Sequence, residues 1–150
     1  MKLTQNYLSD NKQEFLDKGI NLPKFDREKV AANTKANPKW IHFGAGNIFK
    51  AFPAAVQQEL LNKGLADTGV IVAEGYDYEI IDKVSTPHDN LALLVTLKSD
   101  GHIEQTVIGS IVESLKVDSE DANEFARLKE IFAAPSLQMV SFTITEKATA

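Results

Sequence analysis

Between residues 40 and 50 the chain reads Trp40-Ile41-His42-Phe43-Gly44-Ala45-Gly46-Asn47-Ile48-Phe49-Lys50. Two glycines flanking one small residue, directly after an apolar run, allow a turn whose backbone can touch a ligand. A pyrophosphate requires that close approach, and also a helix N-terminus that presents free N–H groups. Gly44 and Gly46 supply the turn around Ala45. A helix beginning near Ile48, with Asn47 as its N-cap, supplies the donors. Phe49 stands where the usual dinucleotide fingerprint has its third glycine, and its bulk should push the helix slightly off the sheet. Lys50 is in reach of phosphates, although a lone helical lysine is ordinarily just solvated.

Two further positions could complete such a site. Glu74 ends an apolar run, where an acid bonds the adenosine ribose hydroxyls and repels the additional phosphate of NADP. It lies farther from the turn than the usual ~20 residues, and Asp77 is the alternative. The stretch Thr143-Ile144-Thr145-Glu146-Lys147 ends the last apolar run. Ligands of open α/β sheets sit at the carboxyl ends of strands, so Thr145 and Glu146 are candidates for the nicotinamide side. A general base is harder to find. His42 alternates with apolar neighbours and reads as structural, His88 follows Pro87 in a loop, and His102 sits in a hairpin turn. No catalytic residue is assigned.

The elements around these residues follow from periodicity. Trp40 to Phe43 and Val70 to Ala73 are buried-type strands. Between them Phe49, Phe52, Val56 and Leu60 recur at helical steps and form one apolar stripe, closed by Gly64. Pro53 requires either an irregular first turn or a regular helix starting nearer Phe52. Strand, glycine turn, helix and strand make a right-handed βαβ unit with parallel strands. Leu91 to Leu97 and Ile103 to Val112 are β-rich and joined by Asp100-Gly101, a hairpin signal. A helix from about Ser119 or Glu120 to Phe132 and a strand from Leu137 to Thr145 complete the pattern. Residues 1–38 read as an irregular arm with two short helical stretches, one over Asp10 to Lys18 and one from Asp26 to about Asn33. Residues 39–150 read as the dinucleotide-binding domain. The fold class is α/β, a Rossmann-type domain with a mostly parallel sheet and a β-hairpin excursion.

Composition removes several alternatives. At 150 residues the chain is one domain's worth, and 43% hydrophobic with 25% charged residues is ordinary for a globular protein. It has no cysteine, which removes disulfides, thiolate metal sites and cysteine nucleophiles. The three histidines lack zinc spacing. The net charge of −5 divides into +2 over residues 1–75 and −7 over residues 76–150. No basic stripe with interleaved aromatics is present, so nucleic acid is not expected as a partner. No apolar run suits a membrane span or a signal peptide, and the cytoplasm is the expected compartment.

The segment His42 to Phe52 resembles the glycine turn of the mannitol dehydrogenase family of long-chain polyol dehydrogenases, in its mannonate and fructuronate oxidoreductase branch. Lys50 departs from the arginine usual there, replacing a bidentate guanidinium with an ammonium. Pro23-Lys24-Phe25-Asp26-Arg27 is similar to the family's segment ahead of that turn, and Thr143 to Lys147 to the motif closing its first half. The family continues there with glycine and an aromatic residue, where this chain has Ala148-Thr149-Ala150. The resemblance covers essentially all of this chain but only the N-terminal part of a family member. It implies NAD as cofactor, and interconversion of a secondary alcohol and a ketone on a polyol or sugar acid. It also implies a mostly helical C-terminal domain that supplies a lysine base with nearby asparagine and histidine. The chain alone is then expected to be inactive and prone to self-association. Two other readings stay open: an enzyme similar to mannitol-1-phosphate dehydrogenase, and a non-catalytic nucleotide-binding regulatory module. The arm ahead of the first strand argues against the former.

Overall fold

The computed structural model describes residues 1–144. Helices α1 (Gln5–Asp10) and α2 (Lys12–Asp17) open the chain, and Gly19, at φ +70°, turns it into β1 (Ile20–Asn21). Helix α3 (Arg27–Ala36) starts where the Asp26 carboxylate accepts from the Lys29 N–H, and it runs three residues beyond Asn33. Then follow β2 (Trp40–Phe43), α4 (Asn47–Ala51), α5 (Pro53–Asn62) and β3 (Val70–Glu74). Helix α6 (Tyr78–Ile80) continues into a π-helical stretch, Ile81–Ser85, and a 3-10 turn, Thr86–His88. The chain closes with β4 (Ala92–Leu97), β5 (Ile103–Ile108), β6 (Ile111–Lys116), α7 (Ala122–Ala133) and β7 (Met139–Phe142).

Four strands form a wholly parallel sheet in the order β6-β3-β2-β7. One face packs on α7 through Ile41, Ile71, Ala73, Leu115, Leu128 and Ile131. The other packs Val70, Val72 and Ile111 against Phe49 of α4, Ala54 of α5 and Ile81. Helices on both faces explain why β3 is a continuous apolar run, since neither side meets water. The α/β expectation and the βαβ unit around the glycine turn are therefore met. The hairpin excursion is met as well: β4 and β5 pair antiparallel through Leu97↔Ile103. Residues 1–38 join this hairpin, because β1 pairs in parallel with β5. Phe15, Ile20 and Leu22 form a third core with Leu91 and Val107.

Three local expectations need correction. The apolar stripe of the helix after the turn faces outward. Phe49 is fully buried, but Phe52 is 70% exposed, Ile48 is 72% exposed, and Val56 and Leu60 are also exposed. The cause is a break at Phe52 (φ −121°, ψ −73°), after which Pro53 starts a new helix at its first position. Proline is tolerated there because that N–H needs no helical partner. The break shifts the helical phase, so α5 buries Ala54, Gln58 and Leu61 instead. Gln58 is buried at no loss because its amide donates to the Val107 carbonyl and accepts from the Gly109 N–H.

The expected strand Ile103 to Val112 is two strands in different sheets. Gly109 and Ser110 separate them, held by the Gln58 amide, by the Ser110 hydroxyl donating to the Ala54 carbonyl, and by Arg27. The Arg27 guanidinium donates to the carbonyls of Gly109 and Ile111 and to the Gln5 side chain. These bonds tie α3 to the corner. The third correction concerns the N-cap of α4, which is Gly46 and not Asn47.

Candidate functional site

The parallel sheet changes winding direction at β2. From there the chain goes first to β3 on one side and later to β7 on the other. Crevices at such switch points, outside the carboxyl ends of the strands, are where open α/β sheets bind ligands. Here the crevice between β2 and β7 opens directly at the glycine turn. Gly44, at φ +118°, donates its N–H to the Ala73 carbonyl at 2.8 Å. A Cβ on Gly44 would lie 3.4 Å from the Thr143 Cβ, in a conformation that L-residues avoid. Gly46 differs: a Cβ there meets no atom within 4 Å, so this side of the turn is open. The N–H groups of Asn47, Ile48 and Phe49 begin α4 without a backbone acceptor among the described residues. An oxyanion at the open side would meet oriented donors.

Glu74 closes the turn from the neighbouring strand. One carboxylate oxygen accepts from the Ala45 N–H at 2.9 Å, and the other from the N–H groups of Tyr76 (2.9 Å) and Asp77 (3.3 Å). Burial raises its pKa, but the bonds from the Ala45, Tyr76, Asp77 and Gly75 backbone outweigh that, so it is held below the ordinary carboxylate value. The group is anionic at neutral pH. Of the two acids weighed for this place, Glu74 contacts the turn, while Asp77 lies at the N-cap of α6. Tyr76, two residues beyond Glu74, is 97% exposed at the same end of the sheet. An aromatic ring in that position is an available stacking platform, signalled in sequence by its place directly after the strand-ending Glu74-Gly75.

The remaining candidates take different places. Ala45 is buried and its N–H is used by Glu74. The Phe49 side chain faces the core, stacked on the His42 ring at 3.6 Å between centroids and edge-on to Trp40 at 5.8 Å. Only its backbone N–H remains for a ligand. Lys50 is half-buried, and burial pushes its ammonium pKa down. Together with Ser85, Asn90 and Ser114 it lines a cavity of about 10 Å³, beneath the turn and on the core side of α4. Among the described residues it forms no ion pair. Ile48 lies exposed on α4. Thr145, Glu146 and Lys147 lie outside the described residues.

Behind the turn, His42 is buried and neutral. Its Nδ1 lies 2.8 Å from the Ser141 Oγ and its Nε2 lies 2.7 Å from the Thr143 Oγ1. Trp40 donates its indole N–H to the same Ser141 hydroxyl at 2.7 Å. Burial lowers the His42 pKa to about 4. A side chain so enclosed, with both ring nitrogens occupied, serves the strand pair and not proton transfer. Sequence periodicity pointed to this structural role, but not to the partners, because β7 lies about 100 residues away.

No protein-family model matches the chain. Over 129 residues, 86% of its length, it is 54% identical to the D-mannonate oxidoreductase of Thermotoga maritima. The chain is related to the mannitol dehydrogenase family. A second, more distant relative is the uncharacterized oxidoreductase YeiQ of Escherichia coli, 25% identical over 130 residues and 85% of this chain. The chain spans about a quarter of the length of these curated relatives, 24% in each case. Two solved structures share the fold. One is Pseudomonas fluorescens mannitol 2-dehydrogenase, in a ternary complex with NAD and D-mannitol (TM-score 0.75, 24% identity, covering 97% of this chain and 27% of that one). The other is a D-sorbitol dehydrogenase in substrate-free form (TM-score 0.76, 21% identity, covering 98% and 28%). The fold is thus of the Rossmann type seen in these dehydrogenases.

Proposed function

We propose that the chain is the NAD-holding part of a cytoplasmic oxidoreductase that interconverts a secondary alcohol and a ketone on a polyol or sugar acid of the mannitol or mannonate type. The observation that carries this is the glycine turn at the sheet's switch point, with Glu74 anchored beside it. The residues fit a dinucleotide. Gly46 leaves room for a pyrophosphate, the first N–H groups of α4 are free to bond it, and Glu74 presents an anion to ribose hydroxyls. Bound there, NAD supplies hydride acceptance and the protein supplies position and electrostatics. Tyr76 offers its ring to the base. The substrate hydroxyl needs a proton acceptor within hydrogen-bond reach whose pKa lies near the working pH. His42 is enclosed, so we assign that base to sequence outside this chain, in a separate C-terminal domain; the chain spans about a quarter of the length of its curated relatives, which leaves room for one. The exposed stripe Ile48, Phe52, Val56 and Leu60 is consistent with self-association of the chain in isolation.

Calorimetric titration with NAD tests the reading, with Gly46→Val as the perturbation. The added side chain enters open space in the free protein, so circular dichroism and melting should be nearly unchanged while NAD binding is abolished. Undiminished binding by the folded variant would remove the glycine turn from the site. In the same assay wild type should prefer NAD to NADP, and Glu74→Ser should narrow the gap, because it removes a carboxylate facing the 2′-phosphate. An unchanged preference refutes the role given to Glu74. NADH absorbance with mannitol, mannonate and fructuronate should show no turnover by this chain alone.

A further inference from the structure

Strand β4 is an edge of the three-stranded sheet β1-β5-β4 and pairs with no second strand among the described residues. Edges of this kind are ordinarily blunted by a charge, a proline or a bulge. β4 has none of these. Leu91 to Leu97 reads Leu-Ala-Leu-Leu-Val-Thr-Leu, and the register with β5 is unbroken. The Lys98 N–H donates to the His102 carbonyl at 2.8 Å, which sets the phase of the ladder. Bonded and non-bonded positions alternate in an antiparallel pair, so Thr96, Leu94 and Ala92 bond inward to β5. The N–H and C=O groups of Leu93, Val95 and Leu97 therefore point to the open edge. Their side chains share one face and are 42%, 47% and 76% exposed, and Ile103, opposite Leu97, is 55% exposed. The other face is taken by the core, where Ala92 and Leu94 pack with Phe49.

We propose that β4 is a self-pairing edge: two copies of this chain join antiparallel about a two-fold axis at Val95, giving one continuous sheet, β1-β5-β4-β4-β5-β1. The strand is complementary to itself. Its outward polar groups recur at every second residue and lie symmetrically about Val95, so Val95 meets Val95 and Leu93 meets Leu97, each pair exchanging both backbone bonds. The axis is perpendicular to the sheet and keeps the exposed side chains of both copies on one face, where Leu93–Leu97 and Val95–Val95 are apolar cross-strand pairs. No like charges meet. Lys98, which borders the run, is turned to Glu104 at 3.0 Å and falls opposite Ala92 of the second copy. This surface is distinct from the α4–α5 stripe and does not depend on the dinucleotide reading.

The chain has no cysteine, so single introduced thiols report the pairing. Directly opposite residues of such a dimer have Cα atoms about 5.5 Å apart, within disulfide reach. Under air oxidation Val95→Cys should cross-link to a covalent dimer on a denaturing gel. Leu93→Cys and Leu97→Cys should each fail to cross-link alone, because identical positions are offset by about 13 Å along the strand. Mixed together they should cross-link, since each faces the other. Val95→Lys sets two ammonium groups at the axis from a solvent-facing position. It should weaken association in sedimentation about fivefold or more while the melting curve stays unchanged. A wild-type chain that sediments as a monomer at high concentration overturns the proposal. So does association in which Val95→Cys does not cross-link, which moves the contact to another surface. Cross-linking of Leu93→Cys or Leu97→Cys alone as readily as Val95→Cys overturns the axis at Val95, and the self-pairing with it.

Discussion

Between about pH 6.5 and pH 4 the unfolded chain protonates His42 and the native protein does not. The native ring is stacked on Phe49 with its Nδ1 2.8 Å from the Ser141 Oγ, and its burial puts the pKa at about 4 against 6.5 for the ordinary imidazole. The unfolded state then binds the additional proton throughout this window. Stability is fully present above pH 6.5 and declines as pH falls, with a slope approaching about 1.4 kcal/mol per pH unit, and levels off below the folded pKa. The ceiling is roughly 3 kcal/mol, a large part of the net stability of a domain. Glu74 contributes in a different window. Its native pKa is below the carboxylate value, so its contribution holds above the unfolded pKa of 4.5 and is lost as pH falls through its lower native value. Urea unfolding followed by circular dichroism from neutral pH down to about pH 4.5 therefore isolates the histidine. His42→Phe retains the ring stack and removes the titration, so the wild-type minus variant difference should shrink steadily over that range. A difference that stays flat within about 0.5 kcal/mol, or an imidazole titrating near 6.5 by NMR in the native protein, would refute the reasoning.

Gly69 approaches its neighbour strand too closely for any side chain. A Cβ there would overlap the Ser110 carbonyl oxygen and lie 2.9 Å from a Val112 methyl, while the Gly69 N–H is held by the buried Thr34 hydroxyl at 2.8 Å. Gly69→Ala should cost roughly 3 kcal/mol and lower the Tm by about 10 °C. A melting point equal to wild type would show that β3 and β6 separate more freely than their register implies. On the outward stripe, Phe52→Glu with Val56→Lys should leave the fold intact and shift sedimentation of the isolated chain toward monomer. Wild type that is already monomeric at high concentration would end the self-association proposal.

The local grammar of the chain was readable residue by residue. Gly44-Ala45-Gly46 between two apolar runs specified a βαβ turn, Asp26 specified the start of α3, and Asp100-Gly101 specified the hairpin, because each depends on backbone preferences acting over a few residues. The place of Glu74 at a strand end was readable in the same way. The phase of α5 was not. Pro53 announced a break, but which side of the following helix faced the sheet depended on Gln58 finding the Val107 carbonyl and the Gly109 N–H, partners about fifty residues away. Nor could periodicity divide residues 103–116 into strands of two sheets, since both pieces are equally β-rich. Tertiary bonds from Arg27, Gln58 and Ser110 decide that corner. His42 shows the division most clearly. Alternation along β2 marked it as inward-facing, whereas its neutrality and its contacts with Ser141 and Thr143 exist only because β7 closes beside β2 from the far end of the chain. Short-range sterics are written in the sequence, while the electrostatic character of a buried group is set by whatever the fold brings against it.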